Sequence, residues 1–430
     1  MMKIKKMSPA RFISFSFIFM ILLGTILLSL PFMHNEGVEV SLIDALFTST
    51  SAVCVTGLIA IDTADTFNVF GRTIVALLIQ IGGLGVTSVG VCFIFIARKT
   101  VDFKDRILVK EALGLGSMRG IVKIVKSILF ITLGFEAVGT ILSFIVFSKD
   151  YAPFKALGIS VFHSIAAFNN SGFDILGEYQ NLIPYQNNIL LNLTTSGLIV
   201  FGGLGFVVIK ELFQRRKFNR LSLHSRIVIT VSLYLLIIGT VLIKFTEDIS
   251  WLGAFFFSVS TRTAGFSTYS VGNFTNGTLF VLIMLMFFGA SPGSTGGGIK
   301  TTTTLVLFKG AISMSTNRHC TVFKRKIPLD IIFKSYVIAF LAMAVVCFNT
   351  LLLCIIESNY TFIQVLFEVV SAFGTVGLST GITPNLTDPS KFIIVVTMFI
   401  GRVGPFTLAS VWAFKKKSNV TFSEEVFTVG

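Results

Sequence analysis

Residues 291–300 read Ser-Pro-Gly-Ser-Thr-Gly-Gly-Gly-Ile-Lys, and they follow an apolar run at 279–289 that resembles half of a membrane helix. Pro292 lacks a backbone N–H group and the glycines leave the backbone soft, so a helix cannot continue through this stretch. Non-helical backbone survives within a bilayer only where it is buried in protein or lines a wet cavity. The stretch therefore indicates an intramembrane loop beside a passage. A short cytoplasmic turn between two ordinary helices is the alternative.

The composition of the whole chain is typical of an integral membrane protein. Its 430 residues are 53% hydrophobic and 13% charged, and its mean hydropathy is +0.85. A soluble domain carries about twice that share of charged residues. The sequence has no His/Asp/Glu cluster, nucleophile–base pair or phosphate-binding loop. We therefore expect neither enzymatic activity nor a covalently bound cofactor.

Four successive units of the chain show the same order of apolar segments, which indicates an internal repeat. In each unit a long apolar span precedes a shorter segment that ends in a glycine loop, and a second span follows. The segments are 12–30, 41–52 and 67–97 in the first unit, 128–147, 154–168 and 188–212 in the second, 227–245, 251–260 and the broken span from 279 in the third, and 331–356, 362–373 and 392–414 in the fourth. We place the repeats at 1–97, 98–220, 221–325 and 326–417, followed by a cytoplasmic tail at 418–430.

Each short segment is too short to cross a bilayer, which needs about 20 apolar residues. It is followed by one of the glycines Gly57, Gly172, Gly265 and Gly377, which are 115, 93 and 112 residues apart. We therefore predict an all-α integral membrane protein. Four helix–pore-loop–helix repeats, with eight transmembrane helices, would surround a pseudo-fourfold pore.

Two of the closing spans share the string Gly-Gly-Leu-Gly, at residues 82–85 and 202–205. Small residues let membrane helices approach one another closely. We interpret these glycines as helix-packing positions and not as parts of the pore.

Positive charges lie in five segments, residues 1–11, 98–126, 210–226, 300–334 and 415–417, which hold 28 of the 35 Lys and Arg residues. With eight crossings, all five segments lie on one side of the membrane. Basic loops stay in the cytoplasm, so both termini are predicted to be cytoplasmic in a multi-pass protein of the plasma membrane. The net charge of +14 is then an orientation signal, and a nucleic-acid partner is disfavoured.

The four glycine loops have the chemistry of a cation filter. A dehydrated monovalent cation needs several oxygens at close range, and rings of backbone carbonyls supply them. Glycine permits a positive φ without a Cβ in the way, and the short helices aim the negative ends of their dipoles at the axis. The candidate filter residues are Cys54, Val55, Thr56, Gly57, Asn169, Asn170, Ser171, Gly172, Arg262, Thr263, Ala264, Gly265, Gly374, Thr375, Val376 and Gly377. We expect their polar side chains to support the loops from behind, with a role as additional ligands as the alternative.

Arg262 precedes a filter glycine by three residues. Because a cation there would repel permeating cations, we expect the side chain to point away from the axis and to bracket the loops by hydrogen bonds. Its candidate partners are Glu136, Glu368 and Asp174.

These loops resemble those of the Trk/Ktr/HKT superfamily of potassium translocators, and most of all the membrane (KtrB-type) subunit of bacterial Ktr uptake systems. The resemblance covers essentially the whole chain, and its other marks are the strings at 261–266, 293–300 and 401–405. It implies Na⁺-activated K⁺ uptake through a single-chain pore, with K⁺ at the filter carbonyls. It also implies a homodimer in the lipid bilayer and a cytosolic ring of Rossmann-type (RCK, KtrA-like) regulatory subunits that bind ATP or ADP.

The resemblance further implies a gate below the filter, made by a broken helix and an arginine of the last helix. In this chain the gate residues are Gly289, Ala290, Ser291, Pro292, Gly293, Ser294, Thr295, Gly296, Gly297, Gly298 and Arg402. A charge in a membrane helix usually faces a cavity or a partner. Our hypothesis is that Arg402 holds the loop across the path and repels cations, with pairing to a buried acid as the alternative.

The competing function is a secondary transporter of another monovalent cation or solute, with a binding site at broken helices. Such transporters usually contain two repeats, which are often inverted. Four parallel units with re-entrant loops favour the pore.

Overall fold

The computed structural model of the chain describes residues 9–86, 89 and 121–411. These residues form helices, together with one small hairpin of two strands. Residues 1–8, most of the basic loop at 98–126, the end of the span predicted to reach residue 97, and the tail at 418–430 lie outside the described residues.

The helices follow one another in the predicted order. In repeat 1 they are α1 (Pro9–Leu28), α2 (Leu42–Cys54), α3 (Thr63–Thr66) and α4 (Val69–Leu84), and in repeat 2 they are α5 (Ile121–Phe147), α6 (Pro153–Phe168), α7 (Ile189–Leu204) and α8 (Phe206–Arg215). Repeat 3 has α9 (Leu223–Thr246), α10 (Trp251–Ser260), α11 (Asn276–Phe287) and α12 (Thr301–Ser315), and repeat 4 has α13 (Leu329–Ile356), α14 (Phe362–Gly374), α15 (Asp388–Val403) and α16 (Pro405–Val411). Strands β1 (Thr321–Val322) and β2 (Arg325–Lys326) form an antiparallel hairpin between α12 and α13. Single 3₁₀ turns lie at Pro31–Met33, Ile183–Tyr185, Phe218–Arg220, Val271–Asn273 and Thr383–Asn385.

The first helix of each repeat is the one that crosses a bilayer by length and composition. Among the described residues, α1, α5, α9 and α13 meet this requirement, and α7 with α8 meets it only as a bent pair. The outer surfaces of these helices are apolar; Phe340 on α13, for example, is 72% exposed. Exposed apolar side chains of this kind fit a lipid surface, where they remain out of water.

The pore helices α2, α6, α10 and α14 form the centre of the molecule. Phe47, Phe168, Phe257 and Phe367 lie on these helices and are fully buried. Polar N-caps begin two of the pore helices: the hydroxyls of Ser41 and Ser250 accept from backbone N–H groups of α2 and α10. Such a cap satisfies donors that would otherwise be unpaired at a helix start.

One contact between the opening helix and the pore helix recurs in the first three repeats. The hydroxyls of Ser49, Ser164 and Ser258 donate to the carbonyls of Ile21, Glu136 and Leu236, at 2.7, 2.7 and 2.8 Å. Three residues further along each opening helix is a glycine, and a Cβ atom there would lie 2.3–2.5 Å from the serine oxygen at Gly24, Gly139 and Gly239. The glycines therefore let the pore helices approach, and each hydrogen bond contributes about 0.5–1.5 kcal/mol.

The closing spans differ from the sequence prediction, which took only the third to be broken. The span predicted at 188–212 bends by 100° between α7 and α8, at Gly205, where φ is +93°. The span predicted at 392–414 is interrupted at Gly404, with φ of +91°, and Pro405 begins the next helix without an N–H group to continue the ladder. Helix α4 likewise ends at Gly85, where φ is +82°. Glycine adopts this backbone region without steric cost, so each break falls at a glycine.

Candidate ion pathway

The four loop glycines form a closed ring. Gly57, Gly172, Gly265 and Gly377 all have positive φ, between +71° and +95°. A Cβ atom at each glycine would lie 2.0–2.7 Å from a backbone carbonyl oxygen of another loop. The pairs are Gly57 with Ser171 (2.0 Å), Gly172 with Ala264 (2.7 Å), Gly265 with Val376 (2.4 Å) and Gly377 with Thr56 (2.1 Å). Each glycine thus contacts the residue that precedes the next glycine, and the fourth contacts the first. Four unequal loops from one chain therefore surround one centre.

Among the described residues, no group donates a hydrogen bond to the carbonyls of the four residues that precede the ring glycines. The N–H groups of Thr56, Ser171 and Val376 donate hydrogen bonds of 2.8–2.9 Å to the carbonyls five residues earlier in their pore helices. The N–H group of Ala264 donates to the carbonyl four residues earlier. All four residues are fully buried. Buried carbonyls are rarely left unpaired, and a ring of them suits a cation without its water shell.

The four loops share a second geometric feature, which lies two residues before each ring glycine. Val55, Asn170, Thr263 and Thr375 have φ of 57°, 59°, 90° and 49°. Left-handed backbone is uncommon for β-branched residues and costs about 1–3 kcal/mol at each of Val55, Thr263 and Thr375, whereas asparagine adopts it more readily. The four loops therefore share a backbone conformation although their sequences differ.

On the side away from residues 288–300, which we call its outer side, the ring opens into a cavity of about 500 Å³. Its lining includes all four ring glycines and the carboxylate of Asp174, which lies in the outer loop of repeat 2. Burial raises the pKa of Asp174 to about 7; the Leu176 N–H opposes this rise, and the Asp62 and Asp65 carboxylates add to it. The cavity therefore gains a negative charge as the pH rises through neutrality.

The inner side of the ring faces the intramembrane loop, which we define as residues 288–300 between α11 and α12. Its ends pair at Phe288 and Ile299. The loop is bound to the bend of repeat 2: the Ser291 N–H donates to Gly203, and the Phe206 N–H donates to Gly293, both at 3.1 Å. The bend at Gly205 thus exposes backbone groups that the loop uses.

The intramembrane loop also contacts the ring itself and the last closing helix. The Gly297 N–H donates to the Thr375 hydroxyl at 2.9 Å. The Arg402 guanidinium donates to the carbonyls of Thr295 and Gly82, and the Lys300 ammonium donates to Gly296 at 2.6 Å. Within the described residues, Arg402 forms no ion pair with a carboxylate, so its contacts are those of a clamp on the loop.

Comparisons with known proteins agree with this architecture. The family model described as "TrkH: Cation transport protein" matches residues 7–241 and 225–423. The chain belongs to the TrkH family. Among its relatives is "Ktr system potassium uptake protein B" of Bacillus subtilis, 36% identical over 98% of this chain and 97% of the relative. Another is "Potassium/sodium uptake protein NtpJ" of Enterococcus hirae, 35% identical over 99% of this chain and 98% of the relative.

A solved structure supports the fold assignment. The crystal structure of the potassium transporter TrkH from Vibrio parahaemolyticus matches with a TM-score of 0.73 and 20% identity, over 92% of this chain and 84% of that chain. The prediction of an all-α integral membrane protein with four helix–pore-loop–helix repeats is confirmed. The recognition of the Trk/Ktr/HKT superfamily and of a Ktr-type chain is confirmed as well.

For this TrkH-family chain, the prediction that Arg262 pairs with Glu136, Glu368 or Asp174 is wrong. Glu136 accepts from Asn169 at 3.2 Å, Glu368 accepts from hydroxyls that include Thr383 at 2.7 Å, and Asp174 accepts from Leu176 and Asn181. Each carboxylate is thus satisfied by other polar groups. Arg262 is 7% exposed, and its Nε atom is buried without a hydrogen-bond partner in the part of the chain that the structure describes.

The Gly-Gly-Leu-Gly strings serve two purposes. A Cβ at Gly82 or Gly202 would lie 2.0 or 1.9 Å from the carbonyl of Val53 or Phe168 at the end of a pore helix. The first glycines of each string are therefore packing positions. The last ones, Gly85 and Gly205, end the helices, which the sequence prediction missed.

The sequence prediction also missed the contacts that join the outer loops in a circle. The Tyr179 N–H donates to Asp62 at 2.8 Å between repeats 1 and 2, and the Ser267 N–H donates to Asn181 at 3.0 Å between repeats 3 and 2. Gly272 lies against the Thr380 carbonyl, between repeats 3 and 4. Lys391 and Asp44 join repeats 4 and 1. Asp62 and Asn181, which follow the pore loops of repeats 1 and 2, were the available signal, but their partners lie in other repeats.

Proposed function

We propose that this chain is the potassium-translocating subunit of a Ktr-type system and mediates Na⁺-activated K⁺ uptake through the four-loop ring. The observation that carries the proposal is the ring of unpaired carbonyls of Thr56, Ser171, Ala264 and Val376. Such oxygens replace the water shell of a monovalent cation without adding charge. The names of the relatives, which specify potassium uptake or potassium and sodium uptake, support these ions.

The selectivity filter in this proposal consists of the residues from three before each ring glycine to the glycine itself, with K⁺ at the backbone carbonyls. The Thr263 and Thr375 side chains face the inner end of the filter, and Asn169 braces it from behind through Gln80 at 2.8 Å. Because the loops differ in sequence, the ring is less regular than that of a homotetrameric channel.

The gate is the intramembrane loop with Arg402. The loop lies directly beneath the ring, since Gly297 is bound to Thr375. Arg402 stabilises this position through the Thr295 carbonyl and places a positive charge under the filter. Cations passing inward would meet both a steric and an electrostatic barrier.

The assembly in this proposal is a homodimer in a bacterial plasma membrane, with both termini in the cytoplasm. A cytosolic Rossmann-type ring would bind ATP or ADP and control the gate. The word "system" in the relatives' names supports partner subunits. The placement of the basic segments supports the orientation.

Flux of ⁸⁶Rb⁺ into liposomes that contain the purified chain tests the function. We expect uptake that exceeds that of empty liposomes, that K⁺ blocks by competition, and that Na⁺ increases. Equal uptake by empty and loaded liposomes would contradict a pore. Growth of a K⁺-uptake-deficient bacterium at low K⁺, with and without Na⁺ and a regulatory subunit, tests the activation and the partner separately.

A further inference from the structure

The intramembrane loop covers two hydroxyl groups on the inner side of the ring. Thr263 and Thr375 lie two residues before ring glycines, and both are fully buried. The Thr375 hydroxyl accepts from the Gly297 N–H at 2.9 Å. A Cβ at Gly296 would lie 2.1 Å from the Thr263 hydroxyl oxygen. The loop backbone therefore occupies the space into which these two oxygens point.

Two basic side chains bind the same part of the loop. The Lys300 ammonium donates to the Gly296 and Gly297 carbonyls at 2.6 and 3.3 Å, and the Arg402 guanidinium donates to the Thr295 carbonyl. Within the described residues neither side chain has a carboxylate partner. In this position the loop presents the Gly297 N–H group to the inner end of the ring and is itself bound by the Arg402 guanidinium.

We propose that a cation at the inner end of the ring and the loop in this position exclude each other, and that the Thr375 hydroxyl is the contact for which they compete. This inference rests on the proposed function and adds a regulation to it. A cation that takes the Thr375 oxygen as a ligand displaces the Gly297 N–H, whose dipole has the wrong sign to remain beside it. The guanidinium of Arg402, which binds the same loop, repels this cation, since like charges interact strongly away from water.

The coupling acts in both directions. If loop closure weakens cation binding at the inner end, cation binding weakens loop closure by the same factor. The transported ion therefore favours the open loop when it is abundant. When it is scarce, the loop returns to Thr375 and limits leak. An ion too large to enter the ring has no differential affinity for the two states and shifts nothing.

Hydrogen–deuterium exchange of the full-length chain in lipid nanodiscs tests this coupling. Exchange of peptides that cover residues 288–300 is compared in K⁺ and in choline at equal ionic strength. We expect K⁺ to accelerate exchange of the loop about fivefold or more, the lower end of usual coupling between two sites. Exchange of the α13 peptides serves as an internal reference and should not change.

Two variants of one residue sharpen the test. Thr375→Val removes the shared oxygen, so loop exchange should be fast already in choline and respond to K⁺ less than about twofold. Thr375→Ser keeps the hydroxyl and should restore the response of the wild type. Thr132→Val is the matched control, because Thr132 is a buried threonine on α5 whose hydroxyl has no hydrogen-bond partner among the described residues.

The outcomes separate the inference from the function on which it rests. Equal loop exchange in K⁺ and choline for the wild type overturns the coupling. A K⁺ response that persists in Thr375→Val overturns the role of the hydroxyl. ⁸⁶Rb⁺ flux is measured on the same purified proteins reconstituted into liposomes: flux without a loop response contradicts only the coupling, whereas absence of flux in the wild type contradicts the proposed function.

Discussion

Lys391 and Asp44, which are 347 residues apart in the chain, form an ion pair of 2.7 Å. Asp44 lies on the pore helix of repeat 1 and Lys391 on the closing helix of repeat 4. Their side chains are 16% and 10% exposed, so the pair is largely shielded from water. It joins the last repeat to the first and completes the circle of the four repeats.

The ion pair should contribute to stability. Loss of one partner leaves the other charge partly buried and unpaired, so Lys391→Met or Asp44→Asn should destabilise the fold by about 1–3 kcal/mol, between the values for exposed and buried pairs. Thermal unfolding in detergent measures this change. The double variant should lose less than the sum of the single variants. As a control, Asp248→Asn, in an exposed pair with Lys244 at 3.5 Å, should leave the unfolding temperature unchanged; an equal decrease there would contradict a special role for the buried pair.

The ring glycines should tolerate no side chain. A Cβ at Gly57 would lie 2.0 Å from the Ser171 carbonyl oxygen, and alanine at φ of +90° is strained by roughly 1–3 kcal/mol. We expect Gly57→Ala to reduce ⁸⁶Rb⁺ flux at least about tenfold, because the displaced carbonyl no longer faces the centre. The matched control is Gly197→Ala on α7, where a Cβ would meet nothing within 4 Å. Normal flux in Gly57→Ala, at equal protein amounts, would exclude the ring as the path.

The ring was predictable from sequence because its signal is repetition. A glycine after each short apolar segment recurs four times, and the periodic spans fix its depth in the membrane. The left-handed backbone of Val55 was not predictable, since a β-branched residue disfavours that conformation. The closed ring of contacts imposes it, and no local pattern reports a tertiary constraint.

Side-chain contacts between repeats could not be predicted from the sequence for a similar reason. Arg262 has three acids as candidate partners, but each acid finds hydroxyl or amide donors, and the outcome depends on where the loops lie in space. The bend at Gly205 has a weak signal in Gly-Gly-Leu-Gly. That string also suits helix packing, and Gly202 is in fact used in that way. The same motif therefore serves both helix packing and helix termination, and the sequence alone does not show which glycine has which role.

The charge of Asp174 should make influx dependent on pH. Burial raises its pKa to about 7, so the carboxyl is neutral at pH 6 and ionised at pH 8. An ionised group in the outer cavity raises the local cation concentration, so ⁸⁶Rb⁺ influx at subsaturating concentrations should increase up to about tenfold over this range. Asp174→Asn should give the low rate at both pH values, and Glu39→Gln, an exposed outer carboxylate, should keep the wild-type profile. A pH response that survives in Asp174→Asn would show that another group titrates.

Arg402 should limit flux in the resting chain. Its guanidinium binds the Thr295 carbonyl of the intramembrane loop and the Gly82 carbonyl of repeat 1. A hydrogen bond to a charged group contributes about 1.5–3 kcal/mol, so loss of the clamp should shift the loop toward the open state by about tenfold or more. Arg402→Gln removes the charge and should therefore increase ⁸⁶Rb⁺ flux without a regulatory subunit. Lys309→Gln, an exposed cation on α12 outside the loop, is the control for a general change of charge. If flux in Arg402→Gln equals that of the wild type while both proteins fold to the same extent, the loop is not held closed by this arginine and the gate must be sought elsewhere along the path.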